Sequence, residues 1–271
     1  MNAGWVVEEV GGDSSPLVIH VPHSATLIPS EERRAILLDD DELEGELKAI
    51  TDWYTDRLAR DALARSGTSA VIFANRASRL LIDPERFTGD EEPMRKVGMG
   101  PVYVSTSDGR PLRVPDPARD LRLLDQWFHP YAEAFTGLVE QTLAAHGRAV
   151  IVDLHSFPSV ALPYELDQSA VRPSVCIGTD PFHTEPALRQ LAYEAFDGLP
   201  DGVAENTPFA GTYVPLVHFH TVREVTSVMI EIRRDLYQEE PGGPEHDGYE
   251  QVVDRLATFL QAVSALPPGT V

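Results

Sequence analysis

Cysteine is almost missing from this chain. Cys176 is the only one in 271 residues, which excludes an intramolecular disulfide and a thiolate-rich zinc knuckle. Its setting, the apolar run SVCIG, favours a buried, inert thiol over a nucleophile. Positive charge is scarce as well: 22 Lys and Arg face 43 Asp and Glu, a formal charge of -21. Nucleic acid and anionic membranes are therefore poor partners, because counterion release needs clustered cations. Lysine is confined to Lys48 and Lys96, so the basic side chains are almost all arginine. No apolar run approaches the about 18 residues of a membrane span, and MNAGWVVEEV has neither the basic nor the apolar region of a secretory leader. A soluble, cytoplasmic protein is expected. Linkers, low-complexity tracts and internal repeats are also lacking, so one domain is expected over residues 1–271.

What is present is a regular alternation. PLVIHVPH, TSAVIFAN, RAVIVDLH, PSVCIGTD and VTSVMIEI are apolar runs bounded by turn residues and predict strands. Between them, helical spacing runs through DELEGELKAITDWYTDRLARDALARSG, then ARDLRLLDQWFHPYAEAFTGLVEQTLAAHG with a kink expected at Pro130, then PALRQLAYEAFDGL, and last YEQVVDRLATFLQAVSAL. Strands alternating with helices imply an α/β three-layer sandwich around a mainly parallel mixed sheet. Residues 90–117, rich in Gly, Pro and charge, interrupt this pattern as a long excursion with a small hairpin. A lid over the site and a plain surface loop are both open readings of it.

Open α/β sheets place their chemistry beyond the strand C-termini. His23 follows one predicted strand and His155 ends another, so two imidazoles meet one sheet edge, a pattern that suits a metal. Asp153, two residues before His155, suits a supporting hydrogen-bond partner. Zinc hydrolases use about three protein ligands, and without thiolates the third is a carboxylate. Asp52 and Asp56, one turn apart on the predicted helix, are both candidates. Asp52 is preferred because Asp56 adjoins Arg57 and can be absorbed in surface pairing; Glu46 is weaker. Glu231, at the end of SVMI, suits a general base, against the alternative of a structural pair with Arg233 or Arg234. Arg76, Arg79 and Arg86 surround a short apolar run and could grip a carboxylate or stabilise an oxyanion. His183, His218 and His220 read as core or surface, with His220 as reserve ligand. Period-two alternation turns His20 to the opposite face.

HVPHS, TDWYTD, NRASRLLIDPERF, VDLHS, NTPFAGTY and MIEIRRDLY, in this order, resemble the N-formylglutamate amidohydrolase family, relatives of zinc carboxypeptidases and aspartoacylase-type deacylases. The resemblance spans about Val18 to Tyr237 and implies a phosphorylase/hydrolase-like sandwich. It also implies Zn²⁺ held by His23, Asp52 and His155, with Glu231 activating water and Arg79 polarising the scissile carbonyl. Arg86, with Arg76 nearby, would bind the substrate's carboxylate. Asn206, Gly211 and Tyr213 would line the acyl or side-chain pocket. The implied substrate is a small N-acyl, foremost N-formyl, amino acid.

Two positions depart from the family pattern. Glu85 stands where the deacylases have Asn, and a carboxylate there would repel an acidic substrate unless it turns away. Thr212 replaces a loop glycine. A catalytically silent metal- or ligand-binding domain, and a peptidase or amidase of other acyl specificity, are the competing readings.

Overall fold

The computed structural model describes residues 4–12 and 14–267; residues 1–3, 13 and 268–271 of the expected domain lie outside the described residues. Along the chain come β1 (Trp5–Val10), β2 (Leu17–Val21), α1 (Ser30–Arg33), α2 (Asp40–Ile50), α3 (Thr55–Ser66), β3 (Ala70–Asn75), α4 (Pro117–Leu123) and α5 (His129–His146). Then follow β4 (Ala149–Phe157), β5 (Val175–Gly178), α6 (Pro186–Phe196), β6 (Val203–Glu205), β7 (Val225–Arg233) and α7 (Gly248–Ser264). The strands form one mixed sheet in the order β1-β3-β2-β4-β7-β5-β6. Its centre, β3-β2-β4-β7, is parallel, whereas β1 and β5 run antiparallel to their inner neighbours. This is the α/β sandwich that the alternation predicts. The edge strands β1 and β6 were not anticipated; β1 is only half-buried and β6 has three residues.

Period-two alternation divides the side chains of the central strands between two cores. Ile19, Val21, Val152, Leu154, Ile230 and Ile232 pack under α3, α6 and α7. Val18, Ile151 and Val225 pack under Tyr131, Phe135 and Val139 of α5. The residues between the first set, namely His20, Asp153, His155 and Glu231, consequently face the α5 side. Register brings them together, since His20 pairs with Asp153 and His155 with Glu231.

The first predicted helix is two helices. α2 ends at Ile50, Thr51 is extended, and Tyr54 takes a left-handed conformation (φ 66°) before α3 begins. Thr and Asp compete with helical hydrogen bonding through their own side chains, and here the Thr55 hydroxyl donates to the Asp52 carbonyl at 2.8 Å. The break frees the Asp52 amide to donate to the His23 carbonyl at 3.1 Å. Asp52 therefore lies in a buried connection, not one turn from Asp56 on a continuous helix. In the second long helix a π-helical turn, Leu124–Phe128, sits between α4 and α5. It accommodates Pro130, which has no N–H and whose ring crowds the carbonyl four residues earlier.

The 90–117 excursion is packed down. Met94, Met99, Tyr103 and Leu112 are buried with Ile36, Leu43, Ile50 and Leu80, and the expected hairpin is reduced to a bridge between Ser105 and Pro111. Its anchor is Glu46 on α2, whose buried carboxylate accepts from the Ser107 amide (2.7 Å) and hydroxyl (2.9 Å).

Candidate metal centre

Three buried side chains converge at the C-terminal ends of β2 and β4, His155 still within β4. Nδ1 of His23 lies 3.3 Å from Nδ1 of His155; an Asp52 oxygen is 3.2 Å from His155 Nδ1 and 3.8 Å from His23 Nδ1. Donors held about 2.0–2.1 Å from one tetrahedral zinc ion stand about 3.3 Å apart. The spacing fits.

The outer hydrogen bonds point the same way. His23 Nε2 meets Asp83 Oδ1, and His155 Nε2 meets Asp153 Oδ1, each at 3.0 Å. A ring that donates Nε2–H to a carboxylate presents its Nδ1 lone pair on the other side. With those tautomers two lone pairs and a carboxylate oxygen face one point, and a positive charge there, a proton or a metal ion, would offset their repulsion. The ionisation tendencies agree. Burial, and for His23 the Arg79 charge, disfavour the imidazolium forms, yet the surrounding carboxylates override this and raise both rings above the usual histidine range. Burial likewise opposes ionisation of Asp52, but His155, His23 and Arg234 hold its carboxyl far below the ordinary range.

Each partner is itself anchored. Asp83 Oδ2 accepts from Arg79 Nη2 (2.9 Å) and the Tyr103 hydroxyl (2.5 Å). Asp153 Oδ1 also meets His20 Nδ1 at 2.9 Å, and Oδ2 accepts from the Tyr213 amide at 3.0 Å. His20 Nε2 reaches the Tyr131 hydroxyl at 2.6 Å. His20 is therefore part of the network; alternation excluded it only because His23 lies beyond Pro22, where the strand has ended. Arg234 Nη2 donates to the other Asp52 oxygen at 2.9 Å and to the Ser156 carbonyl at 3.0 Å.

Glu231 is buried next to this group, in register with His155 on one side and Cys176 on the other. The pairing alternatives for it do not occur: Arg234 serves Asp52, and Arg233 binds Asp235 and Asp201. Its Oε2 is buried without a hydrogen-bond partner. Burial pushes the carboxyl up to about 7, with the Asp52 charge adding to the rise and His155, Arg234 and Arg79 opposing it. Cys176 is buried, as its apolar run predicts, and burial lifts its thiol to about 12.

The other expected residues are spread more widely. Arg79 and Arg86 both lie at Asp83, with Arg86 Nε 3.4 Å from it. The Tyr213 ring stacks on His20, centroids 4.8 Å apart. Gly211, at φ +89°, supplies a conformation that side chains resist, and its amide donates to Asn206 Oδ1. Asn206 is exposed and ties this loop to Thr179. Arg76 is exposed and lines a groove of about 340 Å³ with Ser24, Asp56 and Arg60, whose lining includes neither His23 nor His155. Asp56 pairs with Arg60, not with its neighbour Arg57. Glu46 is committed to Ser107, and His220 to Asp180 at 2.8 Å. His183 is buried, with Nδ1 at 2.7 Å from the Val225 carbonyl, and His218 is buried too. Sequence reasoning passed over Asp83 and Tyr103, turned His20 to the wrong face and weighed Arg234 only as a partner for Glu231. An Asp directly after the buried run Leu80–Ile82 was the available signal for Asp83.

A mainly parallel sheet whose edge carries two imidazoles, a carboxylate and a buried glutamate with one unpartnered oxygen makes this an α/β protein with a candidate metal centre. A profile of the N-formylglutamate amidohydrolase family matches residues 15–238, and the chain belongs to that family. Among solved structures it is similar to N-formylglutamate amidohydrolase from Ralstonia eutropha JMP134, with 24% identity, a TM-score of 0.81 and 97% of each chain covered. A gene product from Agrobacterium tumefaciens is similar at 19% identity and a TM-score of 0.69, covering 97% of this chain and 96% of its own. No curated protein matches the sequence significantly.

Proposed function

We propose that this chain is a zinc-dependent amidohydrolase that removes the acyl group, foremost formyl, from an N-acyl amino acid such as N-formylglutamate. The observation that carries the reading is the meeting of His23 Nδ1, His155 Nδ1 and an Asp52 oxygen at tetrahedral-edge spacing, with Glu231 in register beside His155. These three side chains would hold Zn²⁺, which when bound supplies a Lewis acid that polarises a carbonyl and acidifies water.

The chain's own groups then divide the remaining work. Glu231, with a buried oxygen free of other partners, accepts a proton from the attacking water and delivers it to the departing amine. Arg79 offers positive charge where the carbonyl oxygen becomes an oxyanion. Arg86 takes the substrate's α-carboxylate, a task suited to a planar guanidinium. The water oxygen ends on the acyl carbon, the C–N bond breaks, and formate and the free amino acid leave.

Release of formate and glutamate from N-formylglutamate by the purified, zinc-loaded protein tests the reading. Turnover is expected to stop on chelation and return with zinc. Glu231→Gln is expected to retain the metal and lose about 10²–10⁴-fold in kcat, whereas His155→Ala should lose the metal itself. Native-rate turnover by the chelated protein would refute the proposal.

A further inference from the structure

Glu85 takes no part in the steps above, yet its Oε1 is buried without a hydrogen-bond partner. That oxygen lies 3.4 Å from His155 Nε2 and 3.5 Å from His20 Nδ1, while Oε2 lies 3.6 Å from His23 Nε2. The side chain thus reaches the N–H sides of both candidate ligand rings, opposite the Nδ1 atoms. Each of these N–H groups already has a closer partner, Asp153 or Asp83, at 2.9–3.0 Å. What Glu85 adds is charge. Enclosed among imidazoles, Oε1 is not offered to a substrate.

The charges around the site make the addition meaningful. Asp52, Asp83, Glu85, Asp153 and Glu231 are opposed by Arg79, Arg86 and Arg234. With neutral imidazoles the carboxylates outnumber the guanidinium groups, and Glu85, against the outer sides of both rings, adds to the negative charge that a cation would offset.

We infer that Glu85 is a positioning residue of the metal centre, a carboxylate shared by the outer sides of His23 and His155 that tightens their hold on a divalent cation and does not select the substrate's side chain. The inference rests on the metal-centre reading proposed above. Competition of the apo protein with a chromophoric chelator for Zn²⁺ tests it, alongside kcat/KM for N-formylglutamate and N-formylleucine at saturating zinc. Glu85→Gln should weaken zinc binding about 10-fold, the lower end of what losing a hydrogen-bonded outer partner of a ligand histidine costs, since Glu85 contributes charge and not the hydrogen bond itself. Glu85→Asp, which keeps the charge, should restore most of that loss. The ratio of the two kcat/KM values should not move. Should Glu85→Gln fail to fold, Glu85→Asn measured in the same way decides.

Wild-type affinity in the neutral variant overturns the inference while leaving the metal centre standing. A changed substrate ratio at unchanged affinity also overturns it, making Glu85 a selectivity residue. A wild-type protein that takes up no zinc brings down both readings.

Discussion

Glu231 occupies a position where ionisation is unfavourable, between a buried thiol strand and an imidazole strand. Its carboxyl is raised to about 7 by burial, so in the folded protein the neutral form is preferred. The linkage follows from that sign. Below about pH 4.5 the group is protonated in both folded and unfolded chains and costs nothing; between there and about 7 the unfolded chain ionises while the folded one holds its proton, so stability falls over that window and levels off above it. A bound dication would lower this carboxyl, so the effect belongs to the chelated protein. Apo Glu231→Gln is expected to match apo wild type near pH 4.5 and to exceed it by on the order of 3 kcal/mol at pH 8, measured by denaturant unfolding. Equal stability at both pH values would mean that Glu231 is well solvated. At this scale the sequence revealed His155 and Glu231, which lie two residues inside the ends of β4 and β7 and not at the strand ends expected, together with His23 just beyond β2. It did not reveal their partners, because Asp52–Arg234, His20–Asp153 and His23–Asp83 are separated by 182, 133 and 60 positions. No local pattern encodes such contacts.

Two elements matter most for the site, and both were only partly legible. The interruption at Thr51–Tyr54 carries Asp52 inward, but apolar spacing continues across it from Ile50 to Leu58, so periodicity alone reads one helix. The 90–117 excursion has composition typical of a loop, yet it delivers the fully buried Tyr103, whose hydroxyl lies between Asp83 and Arg79. Tyr103→Phe keeps the packed ring and removes that hydroxyl, leaving Arg79 Nε without its acceptor. A stability loss of about 1–3 kcal/mol, with a fall in kcat larger than any rise in KM, is the expected outcome of unfolding and steady-state measurements. Unchanged kcat would reduce the excursion to a cover over α2.

For the molecule as a whole, the sheet separates structural and chemical work by face. One face is sealed by α3, α6 and α7, and the α5 face carries His20, Asp153, His155 and Glu231. Helices on both faces, the parallel centre and the edge at which the polar residues gather were readable from the alternation of strands and helices; the shared face of His20 and Asp153 was not, since alternation had turned His20 the other way. The formal charge of -21 is dispersed over an exterior whose ion pairs, such as Arg65–Asp254 and Arg65–Glu250, are exposed and contribute little individually. Arginines at the site answer that acidity locally: Arg79, Arg86 and Arg234 all contact carboxylates of the centre. Among the described residues no helix is long and apolar enough to cross a membrane.

Anomalous diffraction at the zinc edge, from crystals of the zinc-loaded protein, measures the convergence of His23, Asp52 and His155 most directly. A single peak is expected about 2.0–2.2 Å from both Nδ1 atoms and from an Asp52 oxygen. A peak elsewhere, or none at the trio in an enzyme that still turns over, would contradict the metal centre.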